Sequence, residues 1–167
     1  MTTPAGTTAG FITGPEEGAA VWFRGALVLL KATAQQTEGR YAVTEWLAPK
    51  GLAAPLHVHR NDDELFLVLD GQVRFQLGDE VVEGTAGSVA YGPRGVAHSF
   101  HVDSEHAHLL LVFGPGGTEG LFREGGNPAR AHALPPADEQ YLDAAALAAI
   151  GERYGQTIVG PPLLPRA

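Results

Sequence analysis

The sequence predicts an all-β fold, a small barrel or sandwich followed by two short C-terminal helices. Three observations lead there. Glycine (22) and proline (12) make up about a fifth of the 167 residues without forming a low-complexity tract, which implies many turns and so many short strands. Apolar residues are 44% of the chain and charged residues only 18%, a globular rather than a disordered balance. Between about Ala20 and Phe113, short apolar runs alternate with turn signals at a spacing suited to a closed β architecture.

Taken in order, residues 1–18 are small and polar and are expected to be flexible. Strand segments follow at 21–33, 40–48, 64–83, 88–92, 97–102 and 108–114. Asp70-Gly71 and Gly78-Asp79 suit the positive φ of primed turns, so they predict two hairpins, joining 65–69 to 73–77 and 73–77 to 80–83. After Gly114 the pattern changes. Residues 118–125 suit a short helix with a glycine stop. A second helix is expected to open at Pro135-Pro136 and Asp138, to bury a stripe of Leu142, Ala145, Ala146, Ala149 and Ile150, and to end at Gly155. The expected organisation is a flexible 1–18, a β core over 19–115 and a helical extension over 116–167 that packs on the core.

Net charge is −8, with no basic cluster, which argues against a nucleic-acid or anionic-membrane partner. The absence of cysteine excludes disulfides, thiolate nucleophiles and Cys-based metal sites, so any metal must rest on imidazole and carboxylate. Neither a signal-peptide pattern nor an apolar run of membrane-spanning length is evident, and a cytoplasmic location is expected.

His57 and His59 are two apart, so on a strand both rings project to one face. Glu64 opens the next strand beyond a polar turn, and His98 lies on a strand announced by Pro93-Arg94-Gly95. Three imidazoles and a carboxylate suit one divalent first-row ion, Mn, Fe, Co, Ni or Zn, with coordination positions left open. The other histidines carry less. His101, at an odd offset from His98, is expected on the opposite face and exposed. His106-x-His108 has no glutamate after it and reads as a solvated turn, and His132 sits in a connector.

These residues resemble the two motifs of the cupin superfamily. Gly51, His57, His59, Glu64 and Gly71 fit G-x5-H-x-H-x3,4-E-x6-G. Gly87, Pro93, Gly95 and His98 fit G-x5-P-x-G-x2-H-x3-N, with Val102 standing where the motif has Asn. The resemblance covers roughly residues 40–115 and implies a jelly-roll barrel with the four matched side chains as metal ligands. The C-terminal texture, GPGGTEGLFREGG, then a helix, then PP, is similar to small bacterial proteins grouped with the quercetinases, dioxygenases that open flavonols. The resemblance also implies a homodimer.

Phe66 and Phe100 are in register with the ligands and should face the interior, with Phe100 the best placed for a cavity wall. Tyr41, Trp46 and Phe75 are further candidates for substrate contact. The resulting expectation is a metal-dependent dioxygenase acting on a small aromatic or polyphenolic substrate, with O₂ as co-substrate and Glu64 as a base. Two alternatives share the pattern: a Lewis-acid cyclase or isomerase that needs no O₂, and a small-molecule-binding protein without catalysis.

Overall fold

The computed structural model describes residues 10–166. Two antiparallel sheets face each other across one apolar core. The larger has strand order β11-β1-β2-β3-β10-β5-β8, formed by β1 (Ala19–Phe23), β2 (Ala26–Ala32), β3 (Ala42–Pro49), β5 (Asp63–Asp70), β8 (Val89–Gly92), β10 (His106–Gly114) and β11 (Asn127–Pro128). The smaller runs β12-β4-β9-β6-β7, from β4 (Leu56–His59), β6 (Gln72–Leu77), β7 (Glu80–Thr85), β9 (His98–Val102) and β12 (Gln156–Gly160). Two helices, α1 (Glu119–Gly125) and α2 (Ala144–Arg153), lie between β10 and β12 in sequence. Among the described residues no helix is long and apolar enough to cross a membrane.

The period-2 pattern decides what faces the core. In β3, Ala42, Thr44, Trp46 and Ala48 are buried while the alternate residues are half-exposed, and β10 buries Ala107, Leu109, Leu111 and Phe113 in the same way. These meet Phe66 and Val68 of β5 and Val73, Phe75, Phe100 and Val102 of the opposite sheet in one cluster.

Several expectations change. The 21–33 segment is two strands, because Arg24 and Gly25 both take positive φ and fold it into a tight hairpin with Phe23 opposite Ala26. The Gly78-Asp79 hairpin forms, with Leu77 opposite Glu80. The Asp70-Gly71 hairpin does not: β5 pairs with β10 and β8, and β6 with β7 and β9, so this turn carries the chain from one sheet to the other. A β-carbon at Gly71 would lie 2.5 Å from the His106 carbonyl oxygen, so the crossover is wedged against the start of β10.

Helix α2 opens later than the prolines indicate. Asp143 is its N-cap, its side chain accepting from the Ala146 amide, and Leu142 lies exposed ahead of it. The helix buries Leu147, Ile150 and Gly151; of the expected stripe Ile150 is buried, while Leu142, Ala145 and Ala149 are exposed. Strand β12, which the sequence reading did not include, pairs with β4. Of the N-terminal segment, residues 1–9 lie outside the described residues; beyond them, Thr13 Oγ1 donates to the Lys31 carbonyl and Lys31 Nζ donates to carbonyl oxygens of Gly14, Pro15 and Glu17.

Candidate metal centre

Two sheets build one cluster. His57 and His59 point inward from β4, and His98 stands opposite His57 on the neighbouring strand β9. Glu64 comes from the facing sheet, where it pairs with Gly92 of β8. All four side chains are buried, and one potential ligand atom from each falls within 4.8 Å of the others. Glu64 Oε2 lies 2.9 Å from His98 Nε2, 3.2 Å from His59 Nε2 and 3.9 Å from His57 Nε2. Gly92 makes room for this arrangement, since a β-carbon there would approach the His98 ring to 2.9 Å.

The outer ring nitrogens fix which way the lone pairs point. His57 Nδ1 donates to the Pro55 carbonyl at 2.7 Å and His98 Nδ1 to the Val96 carbonyl at 3.0 Å. A carbonyl can only accept, so both Nδ1 atoms carry the hydrogen and Nε2 is the nitrogen left to face Glu64, with His98 Nε2 within hydrogen-bond distance of Glu64 Oε2. His59 Nδ1 instead lies 3.0 Å from Asp62 Oδ2, in an ionic contact rather than a directed hydrogen bond, and Asp62 Oδ1 accepts from the Thr118 hydroxyl at 2.8 Å. His59 Nε2 is buried without any hydrogen-bond partner.

When the rings are unprotonated at Nε2, their lone pairs and the carboxylate oxygen repel one another at these distances unless a cation sits among them. The donor set and the orphaned nitrogen therefore fit a divalent ion held by His57, His59, Glu64 and His98. Asp62 and Thr118 belong to the same assembly as supports for His59. The sequence reading passed over both: Asp62 sits within the polar turn after His59, and Thr118 is 56 residues away from it.

Charges in the metal-free cluster follow from the same contacts. Burial disfavours a charged His59 ring, but the flanking carboxylates of Asp62 and Glu64 outweigh it and carry the pKa up to about 10. Burial holds His57 below its usual value. Burial alone would raise Glu64, yet the three imidazoles hold it well below the usual carboxylate range.

A cavity of about 360 Å³ opens onto the cluster. His57, His59 and Glu64 line one end of it, while His98, fully buried, lies behind them. Phe100, Trp46 and Phe122 form the walls, with Trp46 packed edge-on against Phe100 and Phe122 at centroid distances of 6.3 and 5.1 Å. The Trp46 indole N–H is already given to Thr44 Oγ1 at 2.9 Å, so this wall is apolar. Leu147 of α2 and Ile158 of β12 complete the enclosure.

The other sequence candidates fall elsewhere. Phe66 and Phe75 lie outside the cavity lining; they pack at a tilt in the core 5.2 Å apart, with Phe66 6.2 Å from the His98 ring, because inward positions deeper in the sheets meet the opposite sheet rather than open space. Tyr41 precedes β3 and is 57% exposed, away from the cavity. His101 is buried, contrary to expectation, because Arg74, Asp103 and a bridge to Ala53 cover the outer face of β9. His106 and His108 contact Asp70 and Glu45 on the outer side of the larger sheet.

Two antiparallel sheets enclose a His₃Glu cluster that could hold a metal ion. Residues 44–113 match the family model described as the Cupin domain, so that stretch of the chain is cupin-like. Among curated proteins the chain is 30% identical over 104 residues to quercetin 2,3-dioxygenase of Bacillus subtilis, a match covering 62% of this chain and 31% of that protein. It is 43% identical over 53 residues to an uncharacterized protein of Streptomyces coelicolor, covering 32% of this chain and 50% of that one. The chain thus spans half or less of the length of these curated relatives.

Solved structures with the same fold include KdgF from a Halomonas species, with a TM-score of 0.57, 17% identity and coverage of 65% of this chain and 94% of that one. A predicted oxalate decarboxylase from Thermotoga maritima also scores 0.57, at 17% identity over 63% of this chain and 98% of the other.

Two outcomes are expected. Because burial keeps His57 neutral and the imidazoles keep Glu64 ionised near neutral pH, His59 holds a proton that a metal must displace. Loading should release close to one proton, and affinity should rise by about tenfold per pH unit until about pH 10, where His59 deprotonates unaided. Calorimetry of metal binding in buffers of different ionisation enthalpy counts that proton; a count of zero at neutral pH contradicts the assignment. Asp62→Asn should weaken metal binding by ~10–100-fold while leaving the fold intact, as measured by competition with a chelator and by circular dichroism.

Proposed function

We propose that this protein is a metal-dependent dioxygenase acting on a small aromatic or polyphenolic substrate. The observation that carries this reading is that the ligand cluster opens onto an aromatic-walled cavity rather than onto bulk water. The similarity to quercetin 2,3-dioxygenase supports it. A volume of about 360 Å³ falls at the small end of the range for ligand pockets, suited to a compact planar molecule.

His57, His59, His98 and Glu64 would hold the ion, which when bound would supply Lewis acidity and, if redox-active, a means of engaging O₂. The protein's own groups do the remainder. Trp46, Phe100 and Phe122 form an apolar wall against which a flat ring can be oriented with water kept from its reacting edge. Glu64 is the only carboxylate lining the cavity among the described residues. It is held ionised, so it can accept the proton of a substrate hydroxyl that enters that end. Removing that proton makes the substrate electron-rich before it meets O₂.

Glu64→Gln keeps the shape and a donor oxygen but removes the basicity. Turnover of a flavonol or catechol should fall by ~10²–10⁴-fold, with metal content near one per chain. Oxygen-electrode and metal measurements on parent and variant decide between roles: loss of metal would mark Glu64 as chiefly a ligand. Consumption of substrate should stop under strict anaerobiosis. Turnover that continues unchanged without O₂ would replace this reading with Lewis-acid cyclisation or isomerisation. Binding without turnover in either condition would make the protein a small-molecule binder.

A further inference from the structure

We infer that Arg24, an exposed residue that lines the cavity, selects substrates that carry a carboxylate besides their metal-chelating group. This rests on the substrate reading above and narrows it from aromatic to anionic aromatic.

The polar residues lining the cavity are His57, His59, Glu64, Gln156 and Arg24, and the rest of its wall is apolar; Gln156 lies opposite His59 on the neighbouring strand. Arg24 is the only lysine or arginine that lines it. Its side chain is exposed and, among the described residues, has no hydrogen bond or ion pair. That is unusual in this molecule. Every other lysine and arginine except Arg123 holds a carboxylate, from Lys31 with Glu45 to Arg166 with Glu83. Residues 1–9 contain no Asp or Glu, so they bring no acidic side chain to it either. A guanidinium left unpaired at a mostly apolar cavity offers a fork of donors that matches a carboxylate.

The backbone gives a second, independent observation. Arg24 has φ of 51° and Gly25 of 95° in the two-residue turn between β1 and β2. The first position of such a turn is best filled by Asn, Asp or Gly, which tolerate left-handed backbone; Arg does not. The turn gains nothing from an arginine there, so the side chain serves something other than the hairpin. The hairpin aims it at the cavity from β1, whose Phe23 packs edge-on against Trp46 and Phe122 of the wall at 6.0 and 5.3 Å. The cation is thereby fixed relative to the rings that would hold a flat substrate.

The test uses cobalt(II)-loaded protein under argon and a matched pair of catechols, caffeate and its neutral methyl ester. Both present the same chelating head, so the cobalt spectrum and calorimetry report binding without turnover. The parent should bind caffeate about fivefold more tightly than the ester, the scale of one exposed charge pair. That preference should vanish in ~1 M salt, where screening shortens to ~3 Å. Arg24→Asn should abolish it and leave ester affinity unchanged, Arg24→Lys should keep part of it, and Arg24→Asn should melt at or above the parent temperature because Asn suits the turn. If the parent binds both compounds alike, or if the preference survives in Arg24→Asn, Arg24 does not select charge and the aromatic-cavity reading stands. Marked destabilisation of Arg24→Asn would show that the side chain serves the fold, and would overturn the inference. Failure of the cobalt-loaded parent to bind either compound would sink the substrate reading itself.

Discussion

Four electron-rich groups buried within 4.8 Å of one another are the constraint on which this structure turns. Isolated, such a cluster is unfavourable: a buried carboxylate without compensation is costly, and imidazole lone pairs directed at it add repulsion. A proton on His59 relieves part of this in the metal-free protein, and a divalent ion relieves all of it. The surrounding geometry is arranged to keep the lone pairs inward. The Pro55 and Val96 carbonyls accept from the Nδ1 atoms of His57 and His98, and Asp62 backs His59. Pairing of His57 with His98 and of Glu64 with Gly92 sets three of the four ligands by sheet register, which a one-residue slip would destroy.

The C-terminal extension belongs to the site. Thr118, just before α1, gives its hydroxyl to Asp62 and so ties the extension to the support of His59. Strand β12 lies alongside β4, with Ile158 opposite His57 and Gln156 opposite His59. Leu121 and Phe122 of α1 and Leu147 of α2 line the cavity. A barrel ending at β10 would retain the four ligands but lose the hydroxyl behind Asp62, the strand that flanks β4 and part of the apolar wall.

The candidate cluster was legible because its cues are local: strand alternation places His57 and His59 together, a polar turn over 60–63 precedes Glu64, and Pro93-Arg94-Gly95 announces the strand of His98. Core strands such as β3 and β10 were legible for the same reason, since a period of two with one buried face is read directly from residue order. What escaped depends on partners distant in sequence. Asp70-Gly71 has the composition of a hairpin turn, but packing against β10 makes it a sheet crossover. His101 was judged by its own strand, whereas Arg74 and Asp103 bury it. Cavity walls were assigned by register with the ligands, which finds Phe100 but cannot separate it from Phe66 and Phe75, where the sheets close together. Asp62 and Arg24 sit in turns whose polar residues look alike until their neighbours are known.

The central claim is that a single divalent ion occupies the space between β4, β9 and β5. The most direct measurement is anomalous diffraction from crystals of metal-loaded protein, collected above and below the absorption edge of the metal. One strong peak is expected at about 2.0–2.2 Å from the Nε2 atoms of His57, His59 and His98, with Glu64 oxygen at similar range and the open side toward Trp46 and Phe100. A peak lying instead between His106 and His108 on the outer face, or no peak at the His₃Glu cluster in fully loaded protein, would contradict the account.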